Sequence, residues 1–339
     1  LKVTGGYIFY LVIGMNYYNG PEGFYLNRQE KKRQIKKLGL LVGGAFLLYV
    51  LLQNVLFIIF ELAGLADLYN ADPVYQSAVD IVLICVSLPL PFYLLGKKMQ
   101  KVSRISEPLS LEKPESPAVF VLAVLSGVGL CMFSNIVTSY ITVFMEAFGV
   151  HLKSPDIEMP SGISGVVIMV VRVVVCAAMT EEIAMRGYVM GNLRAYGDKF
   201  AILMSSVMFA AMHGNLVQAP FALIAGFAIG YFSIKTGSIW TGIVIHALNN
   251  GISVAITYAS EHLSESGANI VAAALIYGLI LVGIFAFILF RMMIKDWHLS
   301  DNCTVLTLKE KCTAFILNPA MLISFAYMIY ITSLYIEIG

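Results

Sequence analysis

Charge is scarce in this 339-residue sequence. Asp, Glu, Lys and Arg make up 13% of it, against roughly 25% in an ordinary soluble domain. That shortage excludes a water-soluble globule and a charge-rich disordered chain. A basic excess is missing too: 22 Lys+Arg face 21 Asp+Glu for a net charge of +1, so no nucleic-acid partner is expected. Cysteine is sparse and unpatterned. Cys85, Cys131, Cys176, Cys303 and Cys312 are odd in number and contain no CxxC pair, which argues against a disulfide framework or zinc knuckle and for buried, inert thiols. No HExxH occurs, so the helical zinc-protease signature is absent. A cleavable leader is not expected, because the first apolar stretch, 7–13, is short and no small-residue cleavage site follows it.

What the sequence does have is apolar length. It is 59% hydrophobic with a mean hydropathy of +0.81, and its 28 glycines and 11 prolines read as breaks in membrane helices. A span needs about 20 mostly apolar residues. Such runs are predicted over 39–60, 77–95, 118–148, 163–190, 198–213, 219–234, 238–257, 269–290 and 314–336. The expected fold class is therefore all-α, a polytopic bundle of about nine transmembrane helices around a buried polar cavity. Lys and Arg alternate between successive loops, and only Lys153 falls on the sparse side. This predicts an odd number of spans in a cell membrane, with the basic N-terminal segment cytoplasmic. The run Arg28–Lys37 reads as a topogenic signal that touches anionic lipid. Three parts are expected: 1–117 with two spans and basic loops, a core over 118–260, and C-terminal spans over 261–339. The loop 101–117, with Pro108, Pro114 and Pro117, marks the first boundary.

Ionisable residues at membrane depth cost about 2.5–3.5 kcal/mol each on insertion scales, so each is a functional candidate. They concentrate between 163 and 257. Glu181, Glu182 and Arg186 lie in one run, Phe209 precedes His213 by four residues, and His246 precedes Asn250 by four. Glu182 and Arg186 share a helix face and can pair, whereas Glu181 is turned about 100° away and can point into a cavity. Counting about 1.5 Å per residue from the basic loops puts Glu181 and His246 at matching depth, and puts His213 deeper. From that count the cavity is expected to open on the basic side. A carboxylate in such a cleft can act as general base for water, a histidine beside it can shuttle the proton, and a second histidine with an amide can stabilise an oxyanion. That set supports peptide hydrolysis without a serine, a thiol or an obvious metal cage.

At these residues the sequence resembles the CPBP family of intramembrane proteases, the group of CAAX prenyl protease 2, bacteriocin-processing and lysostaphin-resistance-A-like proteins. The resemblance rests on EExxxR (Glu181, Glu182, Arg186), FxxxH (Phe209, His213) and HxxxN (His246, Asn250), in that order and in hydrophobic segments. It covers about 163–257, and Met185 stands where the family often has an aromatic residue. The resemblance implies an intramembrane glutamic-type endopeptidase with no cofactor. Glu181 and His213 would activate water, His246 and Asn250 would hold the oxyanion, and Glu182, Arg186 and Phe209 would support them. The implied partners are the lipid bilayer and a peptide or lipidated protein substrate. Zinc held by Glu181, His213 and His246 stays open by ligand type. Two other readings stand beside the protease: a non-catalytic scaffold or immunity protein, and a transporter using the same carboxylates and histidines. Arg172 is unassigned, as a counterion or an outward snorkel. Ser164, in a GxSG-like run, is set aside because it lies at the other end of its span from His246.

Overall fold

A computed structural model describes residues 21–105, 110–153 and 162–339; the apolar stretch 7–13 and Pro108 lie outside the described residues. Helix α1, Pro21–Leu62, starts well before the predicted span. Nothing in the basic run 28–37 breaks a helix, and Ile35 inside it and Leu38 just after it are fully buried. The polar run therefore extends the helix along its own apolar stripe. Helix α2, Ala66–Ala71, is a short connector, and α3, Pro73–Ser87, opens with Asp72 accepting from the backbone N–H of Val74 at 2.9 Å. Pro89 and Pro91 mark the joint to α4, Pro89–Ser103. Helix α5, Pro117–Glu146, is one unbroken rod of about 45 Å, longer than the roughly 30 Å hydrocarbon core.

Next come strand β1, Val150–Leu152, and the long helix α6, Gly162–Tyr196. The remaining helices are α7, Asp198–Met212; α8, Ala219–Thr236; α9, Ile239–His262; and α10, Glu265–Met293. Helix α11, Leu308–Ile316, and helix α12, Pro319–Ser333, lie over the run predicted as a single last span, 314–336. They meet at 80°. Pro319 cannot donate a backbone hydrogen bond, and Asn318 instead caps the new helix by accepting from the N–H of Met321 at 3.1 Å.

All nine predicted apolar runs fall on helices. Among the described residues, seven helices are long and apolar enough to cross a membrane, or eight if the bent α11–α12 pair is one span. Helix α7, with 15 residues and a length of about 22 Å, falls short of the bilayer core. Helices α5 and α10 pack most closely at Gly129 and Gly283, where a Cβ on either residue would stand 2.7 Å from the other's Cα. Such small-residue crossings let backbones approach where no water is present to drive association.

The bundle has two distinguishable ends. At one, Arg28 pairs with Glu310, Arg104 with Glu30, Ser238 donates to the carbonyl of Glu112, and Ser300 donates to Asp198. These contacts bring the Lys- and Arg-bearing loops together. At the opposite end β1 pairs antiparallel with β2, Ile336–Ile338, in the register Val150↔Ile338, and Lys153 pairs with Glu337. This two-stranded clasp is invisible to any membrane-span reading, because each strand has only three residues.

Candidate active site

Helix α6 is not a plain α-helix. Two π-helical segments, Val170–Ala177 and Ile183–Met190, flank a short α segment, Ala178–Glu182. Hydrogen bonds running i to i+5 widen each turn beyond four residues, so positions four apart stay nearly in line. Val173, Ala177 and Glu181 line one cavity accordingly. Glu182, one step further, turns into the packed interior and is fully buried.

A buried carboxylate is tolerated only when charge and hydrogen bonds compensate it. Glu182 Oε1 accepts from Arg186 Nη1 at 2.9 Å, one turn along the helix, and lies 2.9 Å from His246 Nδ1 on α9. Arg186 also donates through Nη2 to the carbonyl of Gly226 on α8 at 3.3 Å, and its guanidinium carbon stands 4.5 Å from the centre of the Phe209 ring. Both histidine rings stand nearly perpendicular to that ring, with centroids 4.9 Å away for His213 and 5.6 Å for His246. Gly242 allows this convergence. A Cβ there would stand 2.8 Å from Ser233 Oγ and 3.0 Å from Glu182 Oε2.

Glu181 faces the other way, into a cavity of about 930 Å³. Its Oε2 has no hydrogen-bond partner among the described residues and stands 3.9 Å from His246 Nε2. His246 is thus gripped at Nδ1 by Glu182 and presents Nε2 to Glu181. His213 caps α7, and its Nδ1–H donates to the carbonyl of Phe209 at 2.8 Å, which leaves Nε2 as an acceptor. It lines the same cavity but forms no ion pair with Glu181 among the described residues. Of the two imidazoles it is His246 that stands within 4 Å of the Glu181 carboxylate, whereas the resemblance gives the water-activating role beside Glu181 to His213. The depth count already pointed that way, since it placed Glu181 and His246 level.

Asn250 also lines the cavity. One of its amide hydrogens goes to the carbonyl of Val173 at 2.8 Å, in the first π-helical segment, and its oxygen accepts from Asn249 at 3.2 Å. Its second amide hydrogen remains for a ligand. Asn249 is buried in the same wall, and its oxygen has no partner among the described residues. Sequence spacing missed it as a site residue, because it lies three residues from His246 and the motif counts four.

The cavity does not open on the basic side. Its wall on α5 runs from Cys131 to Glu146, on α6 from Arg172 to Glu181, and on α9 from His246 to Ser253. Every one of these stretches runs from mid-helix toward the clasped, sparsely charged end. Counting residues gives the depth of Glu181 but not the side from which it is reached. The packed apolar cluster of Met185, Val189, Leu193 and Phe200 closes the way to the basic end.

At the open end of the wall, Arg172 Nη1 pairs with Asp80 Oδ2 on α3 at 2.9 Å and donates to Ser77 Oγ at 3.2 Å. Tyr69 on α2 donates its hydroxyl to Asp80 Oδ1 at 2.9 Å. Burial, with the Asp80 carboxylate beside it, pushes the Tyr69 phenol above its ordinary range and keeps it a donor. Arg172 is therefore a counterion on the cavity wall and not a snorkel to the surface. Ser164 is exposed at the start of α6 and does not line the cavity. Among the described residues, no group of three or more His, Cys, Asp or Glu is arranged to hold a metal ion.

Residues 163–252 match a family model, that of type II CAAX prenyl endopeptidases, described as Rce1-like. The match encloses every motif residue from Glu181 to Asn250, and the resemblance to the CPBP and CAAX protease family holds over this stretch. No curated protein and no solved structure matches the chain.

Proposed function

We propose that the protein is an intramembrane endopeptidase that hydrolyses peptide bonds of membrane-associated peptides or lipidated protein tails, using water activated by Glu181. The observation that carries this reading is the Glu181 carboxylate, whose Oε2 has no partner among the described residues and stands 3.9 Å from an imidazole whose far nitrogen is already held, inside a cavity walled by apolar helices. A gap of that size between two polar atoms suits one bridging water. Glu181 takes a proton from that water as it attacks the scissile carbonyl, and later passes it to the leaving amine.

The oxyanion that forms needs donors fixed before the reaction. His246 donates from Nε2 when it carries both protons, with Glu182 as counterion on the other nitrogen. The second amide hydrogen of Asn250 supplies the other bond. His213, with Nε2 bare, receives or relays a proton within the cavity. Glu182 and Arg186 do not line the cavity; together with Phe209, which does, they hold His246 in place. The family similarity points to tails bearing a lipidated cysteine, and the membrane setting suits a substrate whose lipid anchors it beside the cavity. The basic end of the bundle is assigned to the cytoplasm by its Lys and Arg content.

The test is direct. Wild type and Glu181→Ala are reconstituted in liposomes and offered a peptide library with and without a prenylated cysteine, and products are read by mass spectrometry. Cleavage by wild type that drops by about two to four orders of magnitude in the variant is expected. Equal processing by both proteins overturns the assignment.

A further inference from the structure

Residues 163–252 do not enclose the cavity by themselves. Helix α1 gives it Tyr49 and Gln53, and Tyr49 is the one phenol among the residues that line it. Its ring is seated firmly. Phe46 stands edge-on to it with 6.3 Å between centroids, and the packed apolar cluster lies beside it. Its hydroxyl, by contrast, makes no hydrogen bond to any described residue, whereas those of Tyr69 and Tyr196 donate to Asp80 and Gln34. A phenol held inside a protein ordinarily finds a partner. On the wall of a substrate cavity, that partner can be the substrate.

Helix contacts fix the depth of Tyr49. Helix α1 leads away from the basic end and α6 leads toward it. A Cβ on Gly44 of α1 would meet Leu95 of α4 at 3.9 Å, and one on the next residue, Gly96, would meet the Tyr188 ring of α6 at 2.5 Å. Gly44 and Tyr188 therefore lie near one level. From there toward the clasped end, Tyr49 comes five residues later on α1 and Glu181 seven residues earlier on α6, about 8 Å and 10 Å at helical rise. The wide turns of Ile183–Met190 shorten the second path. Tyr49 and Glu181 thus stand level on different helices of one cavity, and the Glu181 carboxylate is close enough to act on the phenol electrostatically.

A phenol level with the base suits one task. It keeps its proton at neutral pH, so it donates and does not compete with Glu181 for the proton of water. The charge that develops in the reaction sits on the attacked carbonyl oxygen, and donors fixed in place beforehand lower its energy. Asn250 has one amide hydrogen left for that oxygen, and His246 offers one only when doubly protonated. We propose that Tyr49 is a further catalytic residue, whose hydroxyl donates to the scissile carbonyl oxygen as it becomes an oxyanion. This rests on the protease reading and extends its site to a helix far ahead of the matched stretch in sequence.

The experiment uses the full-length protein in liposomes and a peptide that wild type cleaves. Tyr49→Phe keeps the ring and its contact with Phe46 and removes only the hydroxyl, so it is expected to melt with wild type. Its kcat is expected to fall about 10²-fold with KM within about twofold, the mark of a contact made only in the transition state. A phosphinate analogue of the same peptide is tetrahedral and anionic where the carbonyl was. It should bind Tyr49→Phe about 10²-fold more weakly than wild type, while the unaltered peptide binds Glu181→Gln and Glu181→Gln/Tyr49→Phe alike. Tyr327 on α12 packs against the same apolar cluster without lining the cavity, and Tyr327→Phe is expected to cleave as wild type does. An unchanged kcat in Tyr49→Phe overturns the assignment, as does a change confined to KM or an equal loss in Tyr327→Phe. Cleavage that is lost in Glu181→Gln but kept in Tyr49→Phe removes Tyr49 alone and leaves the protease reading standing. Absence of any cleavage by wild type removes both.

Discussion

His246 Nδ1 stands 2.9 Å from Glu182 Oε1, and that oxygen is the one Arg186 also holds, so the imidazole is steered by a carboxylate already fixed in charge and place. Removing Glu182 leaves the buried Arg186 uncompensated. Glu182→Ala is expected to destabilise the protein by about 3–5 kcal/mol, read as thermal unfolding in detergent. Glu182→Gln keeps the shape, loses the counterion, and lowers kcat far more than it raises KM. A Glu182→Gln protein with unchanged kcat would show that His246 does not need its counterion.

Glu181 behaves in the opposite way. Its Oε2 has no partner to lose, so Glu181→Gln should leave the unfolding temperature where it was and reduce cleavage by about 10²–10⁴-fold. A variant that unfolds early would recast Glu181 as a structural residue.

Phe209 is wedged among Arg186, His213 and His246. Phe209→Ala opens a cavity in a buried position and is expected to cost about 3–5 kcal/mol. Phe209→Leu fills most of that space but loses the ring faces. It should fold nearly as well and turn over about tenfold more slowly, because both histidines lose their lateral support. Steady-state kinetics beside a melting curve separate the two effects.

Two glycine substitutions make a matched pair. Gly242→Ala pushes a methyl against Ser233, Ile229 and Glu182, so both stability and cleavage should fall. Gly278→Ala, on α10, meets nothing within 4 Å and should be neutral or stabilising by up to about 1 kcal/mol through helix propensity. If both variants cleave alike, the close approach of α9 to Glu182 does not matter for turnover.

Outside the membrane, Glu310 gives a pH prediction with a definite sign. Backbone and hydroxyl donors of Thr307, together with Arg28, hold its carboxyl down at about 2, below the ordinary 4.5. A depressed value means the contribution is complete above the ordinary range and is lost as pH falls through about 2. Amide exchange at the start of α11 should therefore begin to lose protection as pH falls below about 4.5 and have lost this contribution near 2. In Glu310→Gln the same amides should exchange faster at neutral pH, with no such step.

The sequence made the apolar runs and the three motifs legible because each obeys a simple rule, length for the spans and four-residue spacing for the paired side chains. It also matched Glu181 with His246, since depth along a helix is only a count. The cavity's direction was not legible: which end of a bundle is plugged depends on packing among Met185, Val189 and Phe200, far apart in any linear pattern. The π-helical stretches were hidden for a related reason. No residue in Val170–Ala177 breaks a helix, and the wider turn is imposed by neighbours such as Asn250, which binds the carbonyl of Val173 from α9. Arg172 found its partner on α3, nearly a hundred positions away, so only the fold could turn an unassigned cation into a cavity wall. The bend of 80° within the predicted last span was not legible either, because hydropathy continues across the chemical break at Pro319.

Helix α1 supplies Tyr49 and Gln53 to the wall, yet Gly39 and Gly43 on it seat against Phe315, Met321 and their neighbours near the far end of the sequence. The placement of Tyr49 and Gln53 thus depends on a seam with segments far away in the sequence. A side chain added at Gly43 would stand 2.6 Å from the Met321 backbone nitrogen and shift a chamber wall that Gly43 itself does not line.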